Sequence, residues 1–330
     1  MRIIFSLRSI IVAASLAFAL VQALPTSAQD AQPNPPPPTL ILQSASARQG
    51  DPVFAECVAA EPISDPVFEL RSQRGSILAR GKVFALPASV PGTRWGVVAG
   101  LSWDVVAGPA EAELRGQEGS RPFAVSVALS VEARQFASDT IPLDAANTAL
   151  HALPDPKKVA EALAIQAIYA RVDPAALWAS LPFVAPVGDA RRSAGFGDKR
   201  RYLYAGGGTD SSQHSGIDFA VPVGTPVHAP AAGRVLFYGM RIVTGNTMVI
   251  EHAPGLYSVL MHLSQGIAPE GSLVKAGDVV ALSGVTGFAT GPHLHWEVRA
   301  GEVPVDPDFF LGSTGVKSFP WLDTGAAAMQ

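Results

Sequence analysis

The chain has 330 residues, a formal net charge of −4 at pH 7 and a single cysteine. Mild acidity argues against nucleic acid as a partner, because that role needs a basic face, and one cysteine excludes an intrachain disulfide. With 28 prolines and 31 glycines, the composition points to a loop-rich, β-rich protein, and the length to two domains.

Residues 1–28 read as a cleaved signal peptide. Arg2 and Arg8 make a positive start, Ile10 to Leu24 is apolar except for Ser15 and Gln22, and Thr26-Ser27-Ala28 offers small residues for cleavage. The apolar core is shorter than the ~20 residues of a spanning helix, so no stable membrane span is expected after cleavage. The expectation is export, to the periplasm or to the cell wall and medium. Losing two arginines and no acid moves the formal charge from −4 to −6. Residues 29–38, with Asn34 and four prolines to Pro38, read as an extended polyproline spacer. Cys57 lies far from the signal core and reads as a small buried hydrophobe in a strand.

From residue 39 to 143, short apolar runs alternate with turn residues. Leu40–Leu42, Val53–Ala55, Val67–Leu70, Val83–Leu86, Trp95–Val98, Phe123–Leu129 and Phe136–Ile141 are the strand candidates. Gly50-Asp51-Pro52, Pro91-Gly92, Gly108-Pro109 and Gly119-Ser120 punctuate them. About seven strands at such spacing predict an immunoglobulin-like β-sandwich. It clusters no catalytic residue types, which suits a positioning or binding module.

Residues 144–190 read as a helical connector. Asp155-Pro156 and Asp173-Pro174 each look like an N-cap followed by proline in the first turn. Ile165, Ile168, Tyr169 and Val172 then fall on one helical face, and Leu177 and Trp178 extend the second helix. Such a stripe is a packing face far more often than a cofactor site.

Residues 191–312 contain further strand candidates around Val221–Val227, Val235–Phe237, Met248–Glu251, Tyr257–Leu260 and Val279–Leu282. No helical runs separate them, so a parallel α/β fold is excluded, and an antiparallel sheet or distorted barrel is expected. Residues 313–330, rich in Gly, Ser and Ala, read as a C-terminal tail.

Six of the seven histidines fall in this last segment, four of them in suggestive settings. His214 precedes Asp218 by four residues, His262 lies in Met261-His262-Leu263, and His293-Leu294-His295 closes the series. Two imidazole nitrogens and a carboxylate oxygen suit Zn²⁺. An HxH pair on a strand points both rings to one face, so the pattern reads as a zinc site built on a sheet. His151 and His228 read as structural, and His252 as a turn residue or a neighbour of the pocket.

At these residues the chain resembles the lysostaphin-type (LytM-like, β-lytic) metallopeptidases. The resemblance runs from about Ser193 to Leu311. It also takes in Ala194–Gly197, Gly224–His228, the Thr286–Val298 segment and Val305-Asp306-Pro307. It implies zinc ligands at His214, Asp218 and His295 and catalytic histidines at His262 and His293. It further implies a zinc endopeptidase acting on peptidoglycan peptides, in stems or cross-links. The alternative is a non-catalytic relative that binds wall or activates an amidase. Such degenerate relatives lose ligands or catalytic histidines, whereas all five positions match here.

The chemistry is coherent with that implication. Three protein ligands leave the fourth position of zinc open for water, and neutral histidine can take and return a proton near neutrality. No His-Glu-x-x-His sequence occurs, so His262 and His293 replace the glutamate base. Glu297, on the face of His293 and His295, is placed either to orient a ligand imidazole or to make a salt bridge. Gly284, Gly287 and Gly291 frame an expected flexible loop beside the groove. Tyr202 and Tyr204 are candidates for contact with the oxyanion.

Overall fold

The protein is seen in a computed structural model that describes residues 35–87, 93–176, 181–312 and Trp321. The expected signal peptide, most of the spacer, the Pro91-Gly92 turn, Leu177 and Trp178, and the tail apart from Trp321 lie outside the described residues.

The first strands are β1 (Thr39–Leu42), β2 (Ser46–Arg48), β3 (Pro52–Ala59) and β4 (Ile63–Ser72). They are followed by β5 (Ile77–Ala85), β6 (Thr93–Gly100), β7 (Gly108–Glu118) and β8 (Arg121–Glu132). All eight belong to one sheet in the order β1-β3-β6-β5-β4-β7-β8-β2. The expected immunoglobulin-like sandwich is thus not confirmed: the eight strands are hydrogen-bonded as a single curled sheet. Its two edges, β1 and β2, are joined by residues 43–45 alone, a link that reaches about 14 Å when fully extended. The sheet must curl until its edges approach. Register shifts in β4, between Ser64 and Val67 and between Leu70 and Arg71, supply part of the bend. Strand spacing looks the same in a sandwich and in a curled sheet, so the sequence alone does not separate them. The Gly108-Pro109 pair, read as a turn, opens β7 and pairs with β8.

Inside the curl, Ala55, Cys57, Phe68, Leu70, Val97, Ala99, Ala112 and Leu114 form one core. Cys57 is buried there as expected, and burial pushes its thiol up to about 12. On the outward face, Phe54 of β3, Phe84 of β5 and Val98 of β6 belong to a second core, and every residue of β3 except Val58 is buried.

After β9 (Ser138–Pro142), the connector contains α1 (Ala145–Ala152) and α2 (Pro156–Tyr169). Asp155 caps α2 by accepting from the Lys157 amide, with Pro156 in the first turn, as the sequence predicts. Asp144 caps α1, a helix that the sequence reading passed over. After Asp173-Pro174 the described chain forms a turn, closed by Ala176 N–H donating to the Asp173 carbonyl.

The remaining elements are β10 (Arg192–Ala194), β11 (Lys199–Leu203), β12 (Thr209–Gln213), β13 (Ile217–Phe219) and β14 (Pro226–His228). Next come β15 (Gly233–Arg241), β16 (Gly245–Ala253), β17 (Leu256–Leu263), β18 (Gln265–Gly266) and β19 (Leu273–Val274). The chain continues with β20 (Val279–Leu282), β21 (Leu294–Ala300), β22 (Val303–Val305) and the short α3 (Asp308–Leu311). The main sheet, β10-β13-β21-β17-β16-β15-β19 with β22 on β21, is antiparallel throughout, as expected. β9, expected to finish the first domain, instead pairs in parallel with β11. It thereby completes a small sheet β12-β11-β9 beside the main one.

The two large sheets share a core. Phe54, Phe84 and Val98 from the curled sheet pack with Ile217, Leu260, Leu294, Trp296, Phe310 and Trp321. Phe54 meets Phe310 edge-on at 6.3 Å, and Phe84 meets Trp321 at 5.3 Å. Arg134 pairs with the buried Asp306 across the same junction. This apolar contact is worth more than a linker. Phe54→Ala is expected to destabilise the full chain by about 3–5 kcal/mol, as for a fully buried aromatic. Residues 191–312 expressed alone are expected to aggregate. An unchanged denaturation midpoint in Phe54→Ala would show that the junction contributes little.

Candidate functional site

Three adjacent strands of the main sheet set the site. β13 places Asp218 opposite His295 of β21, and His295 lies opposite Met261 of β17. His214 reaches the same point from the turn before β13. That turn can approach β21 only because residue 216 is glycine: a Cβ there would lie 2.2 Å from the Trp296 carbonyl oxygen. All three side chains are buried.

His214 Nε2 lies 3.0 Å from Asp218 Oδ1 and 2.9 Å from His295 Nδ1, and His295 Nδ1 is 2.7 Å from Asp218 Oδ1. The outer nitrogens are already committed. His214 Nδ1 donates to the Gly195 carbonyl at 2.7 Å, and His295 Nε2 donates to Glu297 Oε1 at 3.2 Å. Two imidazole nitrogens and a carboxylate oxygen thus converge with their lone pairs on one point, and the cluster calls for a positive charge. A metal ion would supply it, and the three donor atoms are all within 4.8 Å of one another. The nitrogen–nitrogen–oxygen set fits zinc, and the outer hydrogen bonds are the support such ligands usually have.

Electrostatics agree. Burial opposes charge on Asp218, but the adjoining His214 and His295 rings outweigh it and hold its carboxyl well below the usual range. Burial lowers His214. Burial also opposes protonation of His295, yet Asp218 and Glu297 raise it to about 9. Glu297 is buried, but Arg299 Nε at 2.7 Å and His295 bring its carboxyl down to about 2. Glu297 therefore does both things foreseen for it: it accepts from an imidazole and pairs with an arginine.

His262 and His293 stand beside this cluster, their ring centroids 4.6 Å apart. His262 is the penultimate residue of β17, at a register irregularity, and has φ 58°. A left-handed backbone at a non-glycine residue is strained, and here it re-aims the ring. His262 Nδ1 donates to the Thr286 carbonyl at 2.8 Å, and His293 Nδ1 to the Gly291 carbonyl at 2.8 Å. Each ring therefore presents Nε2 as an acceptor, and His293 Nε2 lies 3.8 Å from Asp218 Oδ1. Burial, with His293 and His295 nearby, brings His262 down to about 3 and keeps it neutral.

Both histidines, together with Asp218 and His295, line a pocket of about 260 Å³. Phe288, Ala289 and Thr290 form one wall. That loop is pinned rather than flexible. Phe288 N–H donates to the Val243 carbonyl at 2.7 Å, and a Cβ on Gly287 (φ 77°) would lie 2.3 Å from the Gly245 nitrogen. Tyr202 lines the pocket, whereas the Tyr204 hydroxyl is engaged by His151 at 3.0 Å and Asp210 at 3.4 Å. His151, on α1, stacks on Tyr202 and Phe288 at 4.6 and 5.0 Å. His252 is buried with Ser258 and Ala232 in the main sheet, away from the pocket, and His228 Nδ1 donates to the Gly277 carbonyl.

One residue escaped the sequence reading. Arg200 of β11 pairs through Nη2 with Asp218 Oδ2, so the second carboxylate oxygen is occupied and Oδ1 is left for the cluster. Its only sequence signal is a cation at an alternate strand position from Tyr202.

Residues 212–307 match peptidase family M23. The chain is 40% identical over 123 residues to the peptidoglycan DD-endopeptidase ShyB of Vibrio cholerae, covering 37% of this chain and 28% of that protein. It is 46% identical over 94 residues to the DD-carboxypeptidase/endopeptidase Mpg of Neisseria meningitidis, covering 28% and 22%. The chain thus spans about a quarter of the length of these curated relatives. A crystal structure of a peptidase M23 from Pseudomonas aeruginosa superposes with a TM-score of 0.54 at 28% identity, over 80% of this chain and 94% of that one. This chain carries, at its C-terminal end, a domain of peptidase family M23.

Proposed function

We propose that this protein is an exported zinc endopeptidase that hydrolyses peptide bonds in peptidoglycan stems or cross-links, acting in the periplasm or at the wall. The observation that carries the reading is the convergence of His214, Asp218 and His295 on one point, with Asp218 and His295 lining the pocket that the rings of two further histidines also line. The names of the curated relatives support peptidoglycan as substrate and point to bonds between D-centres.

In this reading His214 Nε2, Asp218 Oδ1 and His295 Nδ1 hold the metal. Zinc, when bound, supplies a Lewis acid that acidifies water and polarises the scissile carbonyl. His262 and His293 move the proton: their Nδ1–H groups are fixed to carbonyls, so Nε2 accepts a proton from water and returns it to the leaving amine. Glu297 and the Gly195 carbonyl orient the ligand rings. Tyr202, fixed by a 3.2 Å hydrogen bond from Ser212 Oγ, and Phe288 shape the wall against which a peptide lies.

The decisive assay is digestion of purified peptidoglycan with and without a chelator, followed by mass spectrometry of the new termini. Chelator-sensitive release of peptide-bond products is expected, and wall binding without new termini would favour the non-catalytic alternative. His295→Ala is expected to lose most bound zinc by metal analysis. Full occupancy in that variant would sink the ligand assignment. His293→Ala should keep zinc and lose about 10²–10⁴-fold in turnover, the range for general acid–base catalysis. His262→Ala should behave alike, and the double variant should lose less than the product of the two.

A further inference from the structure

We infer that Arg200 is the specificity residue of this pocket, reading a carboxylate on the carbon that bears the scissile nitrogen. The inference rests on the peptidase reading above and narrows its substrate class.

Among the described residues lining the pocket, Arg200 is the one arginine or lysine. Its Nη2 reaches Asp218 Oδ2, which sets the guanidinium directly beside the ligand cluster. A guanidinium carries five N–H donors in a planar fork, so one ion pair leaves several for a ligand in the pocket. Its side chain is 18% exposed, enough to touch a ligand and shielded enough to strengthen a charge-assisted bond.

The backbone beneath it is held from both sides. In β11, Arg200 pairs with Ser212 of β12 and with Asp139 of β9. Neighbouring Lys199 and Arg201 are exposed and absent from the pocket lining, as strand alternation requires. Asp139 is the pocket's other charged group outside the ligand cluster and the histidines. It is exposed, so solvent screens its repulsion of an incoming carboxylate.

The chemistry of the substrate supplies the other half. A peptide bond between two D-centres joins an acyl carbon to an amine on a second amino-acid carbon, and that carbon carries its own carboxyl group. In a chain-terminal dipeptide the carboxyl is the C-terminus. In a cross-link through a D-centre's amine it is that centre's free carboxylate. One guanidinium beside the metal ligands therefore serves both bonds, and both activities are named together for the Neisseria relative.

The test uses the full zinc-loaded chain and two D,D-peptides that differ only in having a carboxylate or a carboxamide on that carbon. Cleavage is compared in the unaltered protein, and binding is measured by calorimetry in the His293→Ala background, where turnover is slow. The carboxylate peptide is expected to bind about 10- to 100-fold more tightly, the range for a hydrogen bond to a charged group. Arg200→Gln should bring that ratio close to one. Because the ratio compares two ligands on one protein, it cancels any shared loss through Asp218. Arg200→Lys keeps a cation opposite Asp218, so its zinc content should hold while the ratio falls to an intermediate value. A ratio near one in the parental protein, or an unchanged ratio in both variants, overturns the assignment. Equal cleavage of both peptides would overturn it while leaving the peptidase reading intact. An Arg200-dependent preference in binding, with no cleavage by the unaltered protein, would support it and overturn the peptidase reading instead.

Discussion

Much of this molecule answers to one crowded point, where Asp218 Oδ1, His214 Nε2 and His295 Nδ1 meet within 3.0 Å. Three buried acceptors cannot share such a space without a positive charge, because desolvated lone pairs left unmatched are costly. The surrounding structure fixes which atoms meet. The Gly195 carbonyl and Glu297 take the outer nitrogens, and Arg200 takes the outer carboxylate oxygen. Arg299 in turn holds Glu297, and its guanidinium lies 5.0 Å from the centroid of the Tyr169 ring. The connector helix α2 is thus part of the shell behind the cluster.

That link explains why the connector and the first sheet are more than appendages. α2 packs Ile165 and Tyr169 on Val249, Tyr257, Val259 and Met261. By strand register, Met261, Val259 and Tyr257 stand opposite His295, Glu297 and Arg299, so the helix covers the site-bearing face. The other face of the same strands, through Leu260, Trp296 and Leu294, joins Phe54, Phe84 and Val98 of the curled sheet. The cluster is therefore built on a layer packed from both sides, which limits how far its strands can shift.

The site was legible in the sequence because its residues announce themselves by type and local spacing. His214, Asp218 and His295 meet as expected, and His262 and His293 stand beside them. Asp155-Pro156 marked its helix because capping is decided within one turn of chain. What failed was long-range. The curl of the first sheet depends on which edges meet after a three-residue link. The parallel pairing of β9 with β11 joins residues some sixty positions apart. Arg200 was missed for the same reason, since an arginine between Lys199 and Arg201 reads as part of a polar turn until the fold brings Asp218 to it.

His262 shows how such long-range constraints shape the pocket. Its left-handed backbone costs of order 1–3 kcal/mol, and an ordinary strand residue would relax. Here its N–H donates to the Thr244 carbonyl at 2.9 Å, while its ring donates to the Thr286 carbonyl. Thr286 Oγ1 in turn donates to the Leu263 carbonyl, and Phe288 N–H to the Val243 carbonyl. The loop after β20 and the turn before β16 are thus tied to each other and to both sides of residue 262. Gly287 permits the approach, since a side chain there would collide with residues 243 and 245. The strained backbone is held by these ties from two separate segments. The Nε2 of His262 is consequently aimed by the loop that also walls the pocket, so the position of that nitrogen and the shape of the pocket are set together.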